Sequence, residues 1–183
     1  MNCYDGKDLA RSFRTVRKNT LTIAEEIPAK KYSFRATPES RSVGELLAHI
    51  ANGHRFYYQV NALENRSSME GFDFLRFFEQ SMAEEKKPRT KDEILTLLRV
   101  NGELWAGWLE GLSDDYLAER VQLPAGAEPP SKSRFEMLLS VKEHEMHHRG
   151  QLMLIERMIG ITPHLTRERQ ARFATAQSAT ART

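Results

Sequence analysis

The same helix-start signal occurs three times in this chain of 183 residues. In this signal, the capping box, a Ser or Thr is followed three residues later by Glu, and the two side chains satisfy backbone N–H groups at the start of a helix. The three pairs are Ser42 with Glu45, Thr90 with Glu93, and Ser133 with Glu136. Each pair precedes apolar residues spaced three and four apart, which is typical of a helix packed on one face. The sequence therefore predicts helices with well-defined first residues.

Four segments carry a narrow apolar stripe at this spacing. They cover residues 8–26, 42–62, 91–111 and 133–159. The sequence does not sustain strand-like alternation, and only Val121–Leu123 could form a short extended piece. Amphipathic helices of this length bury their stripes by packing around a common core. We therefore predict an all-α protein, a four-helix bundle.

The connections between these segments differ in length and polarity. Residues 27–41 and 112–132 are long enough to cross the end of a bundle. Residues 63–89 are too apolar for a bare loop, so we expect an extra short helix there that packs on the bundle. Because Gly160 and Pro163 end the last segment, the bundle domain covers residues 1–163. Residues 164–183 then form a mobile tail, or a helix that folds only on a partner.

Composition excludes several classes of protein. The formal net charge is only +2, from 27 basic and 25 acidic residues, and we expect no nucleic-acid partner. Cys3 is the single cysteine, which rules out a disulfide within the chain and a thiolate metal cluster. The sequence has no apolar run near the ~20 residues of a membrane helix and no signal-peptide pattern. We expect a soluble cytoplasmic protein without a membrane partner.

Two histidines in the fourth segment suggest a metal site. His144 and His148 occupy consecutive positions of an apolar seam that runs through 137, 141, 144, 148, 151, 155 and 158. Four residues along a helix correspond to a rise of about 6 Å and a rotation of about 40°, so both rings can bind one ion. Burying two histidines without partners is costly, and a metal supplies the partners. The alternative is a pair of core histidines bonded to backbone or to Glu.

A tight site needs a third ligand. His49 lies in the middle of the stripe of the second segment, and Gly53, one turn later, leaves room beside it. Close packing of helices is an equally good explanation for this glycine. We expect His54 and His147 to face solvent or to support the ligands, and His164 to lie in a loop.

Three neighbours of the two histidines are open to interpretation. Gln151 could orient a bound group or make a polar contact within the bundle, and Arg149 is assigned to the surface or an interface. Residues 144–148 also spell H-E-x-x-H, the zinc-protease motif, in which Glu145 would be the general base. That alternative needs a downstream third ligand, for which Glu168 has a suitable spacing in the tail. In a bundle, Glu145 is instead a surface acid or, like Glu45, a hydrogen-bond partner of a ligand.

The chain resembles the DinB-like (DinB/YfiT-like) metalloenzymes. The resemblance covers roughly residues 8–160 and is carried by Glu45-Leu46-Leu47-Ala48-His49-Ile50 and by His144-Glu145-Met146-His147-His148-Arg149-Gly150-Gln151-Leu152. It implies a bundle of the up-down-down-up type, often a homodimer, and a divalent metal, commonly zinc or nickel, held by His49, His144 and His148. His49 owes most of its assignment to this resemblance. The apolar 63–89 segment and the basic tail depart from the family pattern.

The resemblance also implies a function. Some relatives transfer low-molecular-weight thiols, such as mycothiol or bacillithiol, to small-molecule substrates. Three neutral imidazoles leave coordination positions open, which is typical of a catalytic rather than a structural site. We therefore expect a metal-dependent enzyme of the thiol-transferase or a hydrolytic type. A non-catalytic metal-binding stress protein and a helical dimer with purely structural histidines are the alternatives.

Overall fold

The computed structural model describes residues 4–180, with side chains from Tyr4 to Gln177, so that Cys3 lies outside the described residues. Four long helices build the bundle. They are α1 (Gly6–Glu26), α2 (Val43–Asn52), α5 (Lys91–Glu110) and α7 (Arg134–Met158). The shorter elements are a 3₁₀ turn (Ala29–Lys31), α3 (Arg55–Tyr58), a π-helical turn (Gln59–Leu63), α4 (Phe74–Glu85), α6 (Asp114–Ala118), β1 (Arg120–Gln122), β2 (Ser131–Ser133) and α8 (His164–Thr180).

The order of the helices around the core follows from their contacts. Both α1 and α2 pack against α5 and α7, which places α1 and α2 on one diagonal and α5 and α7 on the other. The connections 27–42 and 111–133 therefore cross the ends of the bundle, as their lengths predicted. The four-helix bundle is confirmed. In the described part of the chain, no helix is both long and apolar enough to span a membrane.

The helix starts confirm the capping signals. In all three predicted capping boxes, the Ser or Thr side chain accepts from the backbone N–H of the Glu. The Glu side chain in turn accepts from the backbone N–H of the Ser or Thr. A fourth box, Asp5 with Asp8, starts α1 two residues earlier than predicted. Asp is as good an N-cap as Ser. The Asp8 carboxylate takes the place of the usual Glu three residues later.

The second segment differs from the single helix predicted over 42–62. Helix α2 ends at Asn52, and the chain then tightens, because the N–H of Gly53 bonds to Ile50 O at 3.2 Å, one residue closer than in an α-helix. The chain continues as α3 and then widens into the π-helical turn.

The extra helix predicted within 63–89 is confirmed as α4, which is capped by Asp73 and packs on α2. The extended piece predicted near Val121 is also confirmed, since β1 pairs antiparallel with β2, which the sequence did not predict. His164, expected in a loop, is instead the first residue of α8 and only 5% exposed. The start of α8 packs on α1, where His164 Nε2 lies 3.4 Å from Asn19 Oδ1. The mobility of the tail stays a prediction.

One buried arginine contacts every helix of the bundle. Arg17, on α1, donates from Nε and Nη2 to the Glu145 carboxylate on α7 at 3.0 and 2.9 Å. Its Nη1 donates to Leu98 O on α5 at 2.6 Å, and its Nη2 lies 3.4 Å from Ile50 O on α2. Gly102 on α5 makes room, since a Cβ there would lie 3.1 Å from this side chain. Glu145 is 1% exposed, so its assignment to the surface is wrong.

The position of Glu145 corrects the predicted seam of α7. The buried positions of this helix include Val141, Glu145, His148, Leu152 and Ile155. Gln151 and Met158, which the predicted seam placed inside, are exposed. Packing against α1 and α2 together buries a wider face than the narrow coiled-coil seam assumed from the spacing.

Replacing Glu145 with Ala should destabilise the protein by about 3–5 kcal/mol, because Arg17 would remain as a buried charge without a counter-ion. The double variant Arg17→Met/Glu145→Leu should lose much less, since no buried charge is left. Urea unfolding followed by circular dichroism measures both. Arg11→Ala, which breaks the exposed pair with Asp8, is the control and should cost under ~1 kcal/mol. Equal losses in the single and double variants would contradict this account.

A second buried carboxylate has no counter-ion contact of its own. Glu156, near the end of α7, is 0% exposed, and neither carboxylate oxygen has a hydrogen-bond partner among the described residues. Burial and the nearby negative charge of Glu26 raise the pKa of Glu156 to about 7. Glu26 itself pairs with Arg167 of α8. The fold therefore holds Glu156 largely protonated below neutral pH.

Glu156→Gln should remove a pH-dependent penalty. Below pH 4.5 the carboxyl is neutral in the folded and the unfolded protein; as the pH rises to about 7, the unfolded state releases its proton first, and stability falls. The advantage of the variant should grow over this window to about 3 kcal/mol and then stay constant. Urea titrations at pH 4, 5.5, 7 and 8.5 measure it. Glu168→Gln, at an exposed position, should show no such trend.

Candidate metal centre

Three histidines from two helices meet at one point between α2 and α7. His49 Nε2 lies 2.8 Å from His144 Nε2 and 3.1 Å from His148 Nε2. His49 comes from the last turn of α2, and the other two come from successive turns of α7. The structure thus brings together the three residues predicted as ligands. They form a group of a size that could hold one metal ion.

Two of the rings are held from behind by hydrogen bonds. Glu85 Oε1, at the end of α4, accepts from His49 Nδ1 at 2.5 Å, and Gln151 Oε1 accepts from His148 Nδ1 at 2.7 Å. An imidazole that donates from Nδ1 keeps its lone pair on Nε2. Both bonds therefore turn the Nε2 lone pairs toward the meeting point, as in metal sites whose ligands are oriented by a second layer of acceptors.

The electrostatics keep two of the imidazoles neutral. Burial, together with the repulsion that a proton on a neighbouring histidine would add, lowers the pKa of His144 to about 4. Burial also lowers the pKa of His148, against the effect of its bond to Gln151. Burial by itself would raise the pKa of Glu85, but its bonds with His49 and Arg41 lower it overall. A neutral imidazole beside an ionised carboxylate is the form that binds a metal ion.

The donor set fits a divalent ion. Three neutral nitrogens with lone pairs turned toward one another repel unless a cation or a proton lies between them. Metal–nitrogen bonds of about 2.0–2.1 Å at tetrahedral angles place the nitrogens about 3.3 Å apart, close to the distances seen here. Among the described residues, the group of potential His, Cys, Asp and Glu ligands has three members. Such a site leaves coordination positions for a water or a substrate.

Gly53 makes space for one of the ligands. A Cβ at this position would lie 2.9 Å from His144 Nδ1, closer than real Cβ contacts. The backbone of Gly53, with φ −60°, is open to any residue, so the glycine is required for space and not for conformation. The space that this glycine leaves is therefore taken by the His144 ring of the neighbouring helix.

The remaining histidines do not join the group. His54 is 5% exposed, its ring lies 5.9 Å from that of Trp105, and burial lowers its pKa to about 4. The solvent position expected for His54 is therefore wrong. His147 is exposed as expected, with its Nε2 3.3 Å from Gln151 Nε2.

The acids that support the ligands also differ from those considered in the sequence. Glu45 caps α2 and pairs with Arg35 at 2.8 Å, and Glu145 pairs with Arg17. Glu85 was missed. A signal existed, because Glu84 and Glu85 lie in the last turn of α4, where the helix dipole disfavours a carboxylate. Acids at such a position indicate partners elsewhere in the fold.

Fold and site together define a helical bundle whose three convergent histidines could hold a metal ion. Residues 12–152 match the family model described as the DinB superfamily, and the chain belongs to this superfamily. The uncharacterized protein YjoA of Bacillus subtilis is 25% identical over 150 residues, which cover 82% of this chain and 88% of YjoA.

Three solved structures share the fold. The crystal structure of YjoA matches with a TM-score of 0.61 at 23% identity, covering 84% of this chain and 93% of YjoA. A DinB-like protein from Bacillus cereus matches at 0.63 and 17% identity, covering 85% and 93%. YfiT of Bacillus subtilis, described as "a probable metal-dependent hydrolase with an unusual four-helix bundle topology", matches at 0.65 and 16% identity, covering 86% and 89%.

Gly53→Ala should weaken metal binding by about 10–100-fold, the range seen when groups that orient metal ligands are lost, because the new methyl group displaces the His144 ring. Competition with a chromophoric chelator measures the affinity for zinc. Gly107→Ala is the matched control, since a Cβ at position 107 meets nothing within 4 Å, and its affinity should equal that of the unchanged protein. Unchanged affinity in Gly53→Ala would contradict the assignment of His144 as a metal ligand.

Proposed function

We propose that this protein is an enzyme that depends on a divalent metal ion bound by His49, His144 and His148. The convergence of the three Nε2 atoms, with His49 and His148 fixed from behind by Glu85 and Gln151, carries this proposal. A purely structural set of histidines would gain nothing from turning its lone pairs toward one another. Zinc and nickel are the ions that we propose, since imidazole suits both.

The reaction that we propose is attack on a small-molecule substrate by a water or a low-molecular-weight thiol. A bound ion supplies the nucleophile at neutral pH, because it lowers the pKa of water or holds a thiol as thiolate. The description of YfiT supports a hydrolytic reaction. Thiol transfer rests on the family resemblance alone. In both cases His49, His144 and His148 keep one side of the centre open.

The geometry argues against a protease of the H-E-x-x-H type. That mechanism needs the Glu of the motif to act as a general base at the substrate. Here both oxygens of Glu145 accept from Arg17, and the side chain is 1% exposed. Glu145 therefore holds the helices together and is not available to a substrate. Glu85 is the carboxylate that contacts the group of histidines.

Metal analysis of the purified protein tests the proposal. We expect about one equivalent of zinc or nickel per chain, a large loss of metal in His148→Ala, and full retention in His147→Ala, the matched control on the same helix. The proposal would be wrong if the protein bound less than half an equivalent, unchanged by His148→Ala. Turnover is then assayed with ester substrates and with thiol–electrophile pairs, with and without the metal. Metal binding without metal-dependent turnover would favour a non-catalytic metal-binding protein.

A further inference from the structure

A chain of ionic contacts leads from the histidine group to a surface arginine. Glu85 uses one carboxylate oxygen to bind His49 Nδ1 and the other to accept from Arg41 Nε at 2.8 Å. Glu85 is largely buried, whereas the Arg41 side chain is 42% exposed. The guanidinium is therefore held at a fixed place beside the histidines while its outer part faces solvent.

This arginine lines a cleft that opens onto the histidine group. The cleft has a volume of about 590 Å³ and is bounded by Arg41, His148, Gln151 and the apolar side chains of Met82, Leu154 and Ile155. Met82 and Leu154 are 49% and 59% exposed and present an apolar surface beside these polar groups. The cleft thus combines an apolar wall with a cationic group near the ligands.

Arg41 is the guanidinium of this cleft that has free donors. Arg35 also lines it, but its Nη1 donates to Ser40 O and its Nη2 pairs with Glu45. Arg41 makes its bond through Nε, and its two terminal amino groups have no protein acceptor among the described residues.

The other charged groups of the cleft do not compete strongly with Arg41 for a polar group that enters it. Glu45 and Glu85 are already neutralised by Arg35 and Arg41. Glu39 and Lys86 lie at the exposed rim with opposite signs, so their long-range effects largely cancel. The free Nη1 and Nη2 of Arg41 therefore decide which polar group the cleft accepts.

We propose that Arg41 determines specificity by binding a carboxylate of the substrate, whose apolar body lies against Met82 and Leu154. The two terminal amino groups of a guanidinium match the two oxygens of a carboxylate, and such paired bonds are stronger and more directional than those of an ammonium group. The substrate class is thus a small organic carboxylate with an apolar portion. This inference rests on the proposed function only in taking the cleft as the place where the substrate binds.

Calorimetric titration with a matched pair of probes tests this inference. 4-Phenylbutyrate and 4-phenylbutanamide have the same apolar body and differ in the carboxylate. The zinc-loaded protein should bind the carboxylate at least 10-fold more tightly than the amide. Arg41→Gln should abolish this preference, whereas Lys86→Gln, which removes the same charge from the rim, should retain it. Equal affinities in the unchanged protein, or a preference that survives Arg41→Gln, would overturn the inference.

Two further measurements distinguish a failure of this inference from a failure of the proposed function. Arg41→Lys retains the ion pair with Glu85 but loses the paired donors, so it should keep its zinc and show a reduced preference; a full preference would contradict the inference. The metal-free protein should still prefer the carboxylate, because Arg41 does not depend on the ion. A preference present only with zinc and retained in Arg41→Gln would mean that the carboxylate binds the ion directly. Failure of both zinc and nickel to bind would refute the proposed function, and the metal-free titration would still decide the role of Arg41.

Discussion

The buried ion pair between Arg17 and Glu145 sets the geometry on which the metal centre depends. One guanidinium contacts α1, α2, α5 and α7, so the four long helices are tied together at one level of the bundle. Removing these charges from water costs several kcal/mol, which the carboxylate and two backbone carbonyls offset. The pair is therefore weak evidence for high stability, but it defines how the helices are rotated relative to one another.

That rotation places the ligands. Because Glu145 points from α7 toward α1, the residue before it and the residue three positions after it turn toward α2. These are His144 and His148, and α2 presents His49 at the same level. Ile50, the next residue of α2, supplies the carbonyl that lies near Arg17. On each of the two helices, a pair of adjacent residues thus connects the ion pair to the histidines. One residue of the pair contacts Arg17 and the other belongs to the histidine group.

Much of the fold and the proximity of His144 to His148 could be predicted from the sequence, because these features depend on local spacing. The capping boxes at Ser42, Thr90 and Ser133 define helix starts through contacts three residues apart. The i, i+4 spacing of His144 and His148 predicts their proximity. The surroundings of the ligands could not be predicted in this way. Glu85 is 36 residues from His49, and Arg17 is 128 residues from Glu145, so only the packing of the helices reveals these pairs.

Helix α4 shows why this limit matters for function. It lies in the connection before α5, yet it brings Glu85 to His49, holds Arg41 through the same carboxylate, and lines the cleft with Met82. The ligands come from the bundle helices, and the groups that surround them come in part from this connection. A change in the connection can therefore alter the cleft without displacing His144 or His148.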